Sequence, residues 1–258
     1  MPSLAEIARY CDDLLGANGF PDSTRALNGV QVDCSKDITK IAAAVDARER
    51  TIAAALSAKA NLLLVHHGLF WGGLRPLQGP QHRRFGALLR SDIGVYAAHL
   101  PLDAHPDIGN GALLARALGL APTGTFGRYM GVEVGVTGQL EPLSTAELVA
   151  RARAFAAEYG GTVHTSPVNA GRRTERWGII TGAGASNDSI AEAVERGIDT
   201  MIVGEGPHHT AIEAEEAGIV IVYAGHYATE TLGVQALAAR VSETYGIPWE
   251  FLHEPTGL

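Results

Sequence analysis

Short apolar runs alternate with helix-patterned stretches along most of this chain, and that alternation restricts its fold more than any other feature. Ile41 to Val45 is an apolar run ending at Asp46; Arg48 to Ala60 carries Ile52, Ala55, Leu56 and Lys59 at helical spacing; Leu62 to Val65 is apolar again. Strand, helix and strand in that order lie as a parallel pair, because the helix carries the chain back to the starting edge. The scheme repeats with a helix over His82 to Arg90, a strand over Val95 to Ala98 and a helix over Gly109 to Leu118. In the last of these Leu113, Leu114, Ala117 and Leu118 share one face, and Gly119 stops it. Later, strands Gly178 to Thr181, Thr200 to Val203 and Ile219 to Tyr223 alternate with helices Asn187 to Arg196, His209 to Ala217 and Thr229 to Tyr245.

Between these stretches, residues 121–175 change character. Gly124, Gly127, Gly131, Gly135 and Gly138 break up β-branched runs such as Val132 to Thr137, which reads as strands. A helix over Ser144 to Tyr159 follows, with Ser144 and Glu147 spaced as a capping box. The sequence thus predicts an α/β protein of two similar α/β lobes, with mostly parallel sheet and an inserted α+β region. Residues 1–125 together with 225–258 form one lobe, and 126–224 form the second, inserted lobe.

A chain of 258 residues buries a substantial core without metal or disulfide staples. Twenty basic and 28 acidic residues give a net charge of −8, and 46% of the residues are apolar, which excludes a disordered chain. The acidic balance argues against a phosphate-backbone footprint. Arg83-Arg84 and Arg172-Arg173 are the only arginine doublets and read as solvated faces. No apolar stretch approaches the roughly 20 residues of a membrane helix, and the start lacks the order of a secretory signal, so a cytoplasmic protein is expected. Cys11 and Cys34 have no CxxC spacing and read as two reduced thiols.

The chemistry falls at the carboxyl ends of three strands. His66-His67 follows Leu62 to Val65; His99 follows Ala98, with Asp103 four residues on; His226 comes soon after Ile219 to Tyr223, with Glu230 four residues on. Ligands bind at that edge in open parallel sheets. Adjacent strand side chains point to opposite faces, so His66 and His67 converge only where the backbone leaves strand geometry, a departure Gly68 allows. Imidazoles and carboxylates without thiolates suit Zn, Mn, Fe, Co or Ni better than Ca or Mg. One Asp and one Glu give −2 against the +4 of two divalent ions, and the positive surplus suits a phosphate or a developing oxyanion. The expected site lies in the cleft between the lobes.

The remaining histidines join this set poorly: His208-His209 reads as a cap or surface pair, and His82, His105, His164 and His253 as solvated. Asp107 reads as a helix cap. Glu205, also at a strand end, is positioned to line the same cleft. Gly182-Ala183-Gly184-Ala185-Ser186 lacks the third glycine of a dinucleotide motif and the lysine of a P-loop, and reads as a tight strand-to-helix turn. No GxSxG nucleophile elbow occurs. Leu69-Phe70-Trp71 is either core beneath the site or a surface for substrate stacking.

The strings Leu64-Val65-His66-His67-Gly68-Leu69-Phe70-Trp71, His99-Leu100-Pro101-Leu102-Asp103 through Asn110, and Gly225-His226-Tyr227-Ala228-Thr229-Glu230 resemble the Nif-three-like dinuclear metal-centre family, whose members are often named GTP cyclohydrolase 1 type 2 homologues. Asn28-Gly29-Val30-Gln31-Val32, Ala44-Val45-Asp46 and Gly204-Glu205 extend the likeness over nearly the whole chain. The resemblance implies that His66, His67, Asp103, His226 and Glu230 hold two divalent ions per subunit, with His99 as a supporting partner or an extra ligand. It also implies a homo-oligomer, a toroidal hexamer built from dimers. Gly68 stands where proline is common in the family. The activity implied is metal-dependent hydrolysis of a small nucleotide-like or phosphorylated substrate, of the kind that opens a purine imidazole ring, with His99 or Glu205 moving a proton. The alternative is a metal-binding carrier, chaperone or scaffold without turnover.

Overall fold

The structure, a computed structural model, describes residues 1–258. The chain runs α1 (Leu4–Leu15), β1 (Gly29–Val32), β2 (Ile41–Asp46), α2 (Glu49–Ser57), β3 (Leu62–His67), α3 (Pro80–Ser91) and β4 (Gly94–Ala97). It continues through α4 (Leu100–Asp103), α5 (Asn110–Ala117), β5 (Gly124–Tyr129), β6 (Val132–Ser144), α6 (Thr145–Glu158), β7 (His164–Thr165) and β8 (Arg173–Ile180). It ends with α7 (Asn187–Glu195), β9 (Thr200–Val203), α8 (His209–Glu216), β10 (Val220–Tyr223), α9 (His226–Thr229), α10 (Thr231–Tyr245) and β11 (Trp249–Phe251). Two compact units result: Met1–Leu102 with Gly233–Glu254, and Asp103–Leu232 with Pro255–Leu258. The fold is mixed α/β, with one sheet in each unit and more parallel than antiparallel pairings.

In the first unit the sheet order is β1-β4-β3-β2-β11, parallel except where β1 meets β4. Strands β2, β3 and β4 are covered on both faces, which is why they read as unbroken apolar runs. Ala42, Ala44, Leu63, Val65, Val95 and Ala97 turn to one face and pack with Ile52 and Ala55 of α2 and Leu88 of α3. Tyr96, with the opposite parity, donates its hydroxyl to Asp12 of α1 at 2.7 Å. Helix α1 opens with a capping box between Ser3 and Glu6 and closes on Gly16 in the left-handed region at φ 58°.

In the second unit the order is β5-β6-β8-β9-β10-β7. The glycine-rich stretch does form strands, and they join the same sheet as the later parallel ones, because β6 pairs antiparallel with β8. Alternation along the strands splits the core. Trp177, Ile179, Ile202 and Val222 face α5 and α6, whereas Met201, Val203 and Ile221 pack with Ile190 and Ala193 of α7 and Ala214 of α8.

Three local expectations are corrected. The capping box at Ser144 does not form: Ser144 makes no side-chain cap bond, and Glu147 instead accepts from Arg151, one turn on, at 2.6 Å. The last long helix starts later than expected, at Thr231, because His226–Thr229 form a separate turn, with Glu230 at the break. Asp107 does not cap α5: the helix starts after Gly109 with no side-chain cap bond, the Asp107 carboxylate is exposed near Arg116, and His105 Nδ1 accepts from the amides of Asp107 and Ile108 at 3.1 and 3.2 Å in the preceding turn. No helix is long and apolar enough to cross a membrane. Both cysteines are free.

Candidate metal centre

The first unit gathers three imidazoles at the carboxyl end of its sheet. His66 and His67 are the last two residues of β3, and His99 follows β4, its parallel neighbour. One ligand nitrogen from each of the three lies within 4.8 Å of the others. The His66 and His67 ring centroids are 4.7 Å apart, and those of His66 and His99 5.0 Å. Each ring is oriented through Nδ1. His66 Nδ1 lies 2.8 Å from the carbonyl of Ala98, and since a carbonyl only accepts, the proton of the neutral ring is on Nδ1. His67 Nδ1 lies 3.0 Å from Asp46 Oδ1, across the β2–β3 register that pairs Asp46 with His67. His99 Nδ1 meets both oxygens of Asp22, at 2.9 and 3.0 Å. Burial pushes the Asp22 carboxyl up, but the hydrogen bond and charge of His99, with Asn28 and the Leu100 amide, outweigh it and hold the group below the usual carboxylate range.

Gly68 serves this site by the space it leaves. Its φ is not positive, and the expected departure from strand geometry is not needed for the histidines to meet, since His66 and His67 are both within β3. A Cβ there would meet Nε2 of Gln31 at 2.1 Å. Gln31 accepts from the Leu69 amide at 2.6 Å and donates to the carbonyls of Ala26 and Leu27, pinning the turn that follows His67. Beyond it the apolar triplet divides. Leu69 is core, Phe70 packs against Phe85, and Trp71 stands edge-on to His99 and His67 with centroids 4.7 and 5.6 Å away.

The second unit holds the carboxylates and the fourth imidazole. Asp103 is buried, and its Oδ1 accepts from Asn110 Nδ2 at 2.8 Å and Thr181 Oγ1 at 3.2 Å. His226 lies between two carboxylates, with Nε2 3.1 Å from Glu230 Oε2 and Nδ1 2.7 Å from Glu205 Oε1. Burial alone would lower the pKa of this imidazole; Glu230 first, then Glu205, reverse that and push it up to about 9. Glu230 is itself buried and sits where α9 ends and α10 begins. Gly182, at φ 60°, makes room for it: a Cβ there would fall 2.1 Å from Glu230 Oε1. The strand-to-helix turn expected at residues 182–186 is present, with Ser186 capping α7, and its first glycine also admits the Glu230 carboxylate.

The donor set fits a divalent transition ion: imidazoles and carboxylates in hydrogen-bonded orientations, with no thiolate among them. His82, His164, His208, His209 and His253 are exposed. Asp22, Asn28, Asp46, Gln31, Asn110 and Thr181 were not among the expected site residues. Their partners lie 21 to 78 residues away, apart from the seven that separate Asn110 from Asp103, and only the fold brings them together.

The family model of Duf34/NIF3 (NGG1p interacting factor 3) matches residues 3–256. The chain belongs to this family. Among its Duf34/NIF3 relatives, a Deinococcus radiodurans protein named GTP cyclohydrolase 1 type 2 homolog is 41% identical over 258 residues, covering 98% of this chain and 94% of the relative. An Archaeoglobus fulgidus protein of the same name is 39% identical, over 99% of this chain and all of its own. Two solved structures share the fold along their whole length: protein ybgI, described as of unknown function, with TM-score 0.88 at 31% identity, and a Thermus thermophilus protein with TM-score 0.83 at 35% identity. Each covers 99% of this chain and 100% of the other.

Proposed function

We propose that this Duf34/NIF3 chain is a dinuclear metal-binding protein and a metal-dependent hydrolase acting on a small nucleotide-like or phosphorylated compound. The proposed ligands of two divalent ions, of Zn, Fe, Mn, Co or Ni, are His66, His67, Asp103, His226 and Glu230. The observation that carries the reading is the trio His66, His67 and His99, with ligand nitrogens within 4.8 Å of one another. The His226 and Glu230 pair supports it independently, since 3.1 Å between an imidazole nitrogen and a buried carboxylate oxygen suits a shared cation as well as a shared proton. When bound, such ions supply Lewis acidity toward an anionic oxygen and a nucleophile at neutral pH.

The chain's own residues then divide the work. Asn110 and Thr181 fix Oδ1 of Asp103 and so hold the orientation of its carboxylate. His99 and Glu205 are the proposed proton carriers. His99 is held at Nδ1 and works through Nε2, while Glu205 is half-exposed and keeps one oxygen on His226. Trp71 flanks the imidazole cluster, edge-on to His99 and His67. The names of the relatives support a purine-like substrate, and the family resemblance supports a cytoplasmic homohexamer.

Elemental analysis of protein purified without added metal tests the first claim, with two divalent ions per chain expected. Asp103→Ala and Glu230→Ala are each expected to lose metal, and a wild type that carries none and takes up none overturns the reading. Turnover is tested by offering the metal-loaded protein a panel of nucleotides and phosphoesters. Hydrolysis that disappears in Glu230→Ala supports the enzyme; loaded protein that turns over no member replaces it with a carrier.

A further inference from the structure

His99 is held at its ring and at its backbone by two neighbouring side chains, Asp22 and Asn28. Both Asp22 oxygens face its Nδ1, and the Asn28 Oδ1 accepts from its backbone amide at 2.7 Å. The Asp22 carboxylate is in turn fixed by Asn28 Nδ2 at 2.8 Å, the Leu100 amide at 3.1 Å and the Ser23 amide at 2.6 Å. Its side chain is 5% exposed, against 27% for Asp46 beside His67 and 45% for Glu205 beside His226. Every partner of Asp22 is a donor, so the carboxylate has no alternative but to accept, and the imidazole has no alternative but to donate through Nδ1.

We propose that Asp22, locked by Asn28, is the positioning residue that fixes the tautomer and the rotation of His99, so that its Nε2 lone pair faces the His66 and His67 rings. The proposal rests on the metal reading for its purpose and on unit-internal geometry for its content. A ring flip would take Nδ1 from Asp22, and the opposite tautomer would direct an N–H toward the cation proposed at His66 and His67. Both outcomes weaken the centre whether His99 binds the ion or accepts a proton beside it. The loop from Pro21 to Asn28 thereby belongs to the functional machinery, although it contributes no residue to the cluster itself.

The test uses the full-length chain in two states. In the metal-free protein, nitrogen-resolved NMR of the imidazoles is expected to show His99 in the Nδ1–H form, and a mixture of forms in Asp22→Ala. On titration with Co2+, Asp22→Ala is expected to bind 10- to 100-fold more weakly with an altered ligand-field spectrum. Asp22→Asn, which keeps the shape and one acceptor, is expected to fall between and guards against a variant that does not fold. His99 unchanged in form in both variants, or altered in form with Co2+ affinity and spectrum unmoved, overturns the proposal. Failure of the wild type to bind Co2+ would instead strike the metal reading, leaving the tautomer of His99 to decide the role of Asp22 separately.

Discussion

At Gly68 a single added methyl group would meet the side-chain amide of Gln31 at 2.1 Å, and that amide is not an idle end. It makes hydrogen bonds to Ala26, Leu27 and Leu69, so moving it breaks contacts rather than a rotamer preference alone. Gly68→Ala is therefore expected to cost about 1–3 kcal/mol, the range for buried partners left unsatisfied. In a Gln31→Ala background the same substitution is expected to cost much less, because the obstacle is gone; a denaturant double-mutant cycle reads the difference, and additive effects would refute the contact. Trp71 offers an optical reporter on the same trio. Of the three tryptophans it alone has a ring contact with His99 and His67, while Trp177 lies in the core of the second unit. Binding of Co2+ or Cu2+ is expected to quench tryptophan fluorescence, and Trp71→Phe to remove most of that quenching with the bound metal count unchanged. Undiminished quenching in Trp71→Phe would place the ions elsewhere. The histidines and carboxylates of the candidate site were legible in the sequence because each histidine sits at or shortly after a strand end and each proposed carboxylate ligand four residues beyond a histidine. Asp22, 77 residues from His99, and Gly182, 48 residues from Glu230, were not, because neither local pattern nor composition encodes a contact made only by tertiary folding.

Elements show the same division. The β2-α2-β3 unit was legible because its strands are unbroken apolar runs and its helix has a clear period, and the structure keeps both within a few residues. Strands β1, β7 and β11 are two to four residues long and are stabilised by pairing with β4, β10 and β2 rather than by any pattern of their own, so no period was available to read. Helix α1 carries a consequence that can be measured. Cys11 lies on its buried face, and burial, with the charge of Asp12, holds its thiol well above the ordinary range. Below about pH 8.5 folded and unfolded chains both keep that proton; above it the unfolded chain loses it and the folded chain does not. Stability is thus expected to fall as pH rises, by about 1.4 kcal/mol per unit from this group. Cys11→Ala, though less stable overall, is expected to show a shallower fall between pH 8.5 and 10 in denaturant titrations. An unchanged slope would mean that α1 does not shield the thiol. In native protein at pH 8 a thiol reagent is expected to modify Cys34, which is only half-buried, and to reach Cys11 on unfolding.

On the scale of the whole molecule, the two compact units differ in how they are written into the chain. The second is almost continuous: Asp103–Leu232 contains all six strands of its sheet, and only Pro255–Leu258 is supplied from elsewhere. The first is discontinuous, because β11 pairs with β2 and most of α10 comes from Gly233–Glu254, far along the chain from β1 to β4. A continuous segment brings its core with it, here Trp177, Ile179, Ile202 and Val222 on one face and Met201, Val203 and Ile221 on the other. A segment that ends at Leu102 lacks an edge strand and leaves β2 with exposed backbone groups on one side. Excised 103–232 is accordingly expected to fold by itself, with cooperative urea unfolding and the near-ultraviolet dichroism of an immobilised Trp177. Excised 1–102 is expected to unfold without cooperativity until a peptide spanning 233–254 is added. The second unit would also retain the Asn110 and Thr181 bonds to Asp103 and the His226–Glu230 pair, so NMR of the excised segment should still show His226 charged at pH 7. A neutral His226 there, in a segment that folds, would show that the carboxylates around this imidazole are not held by their own unit. Failure of 103–232 to fold would show that its two-faced core is not sufficient by itself.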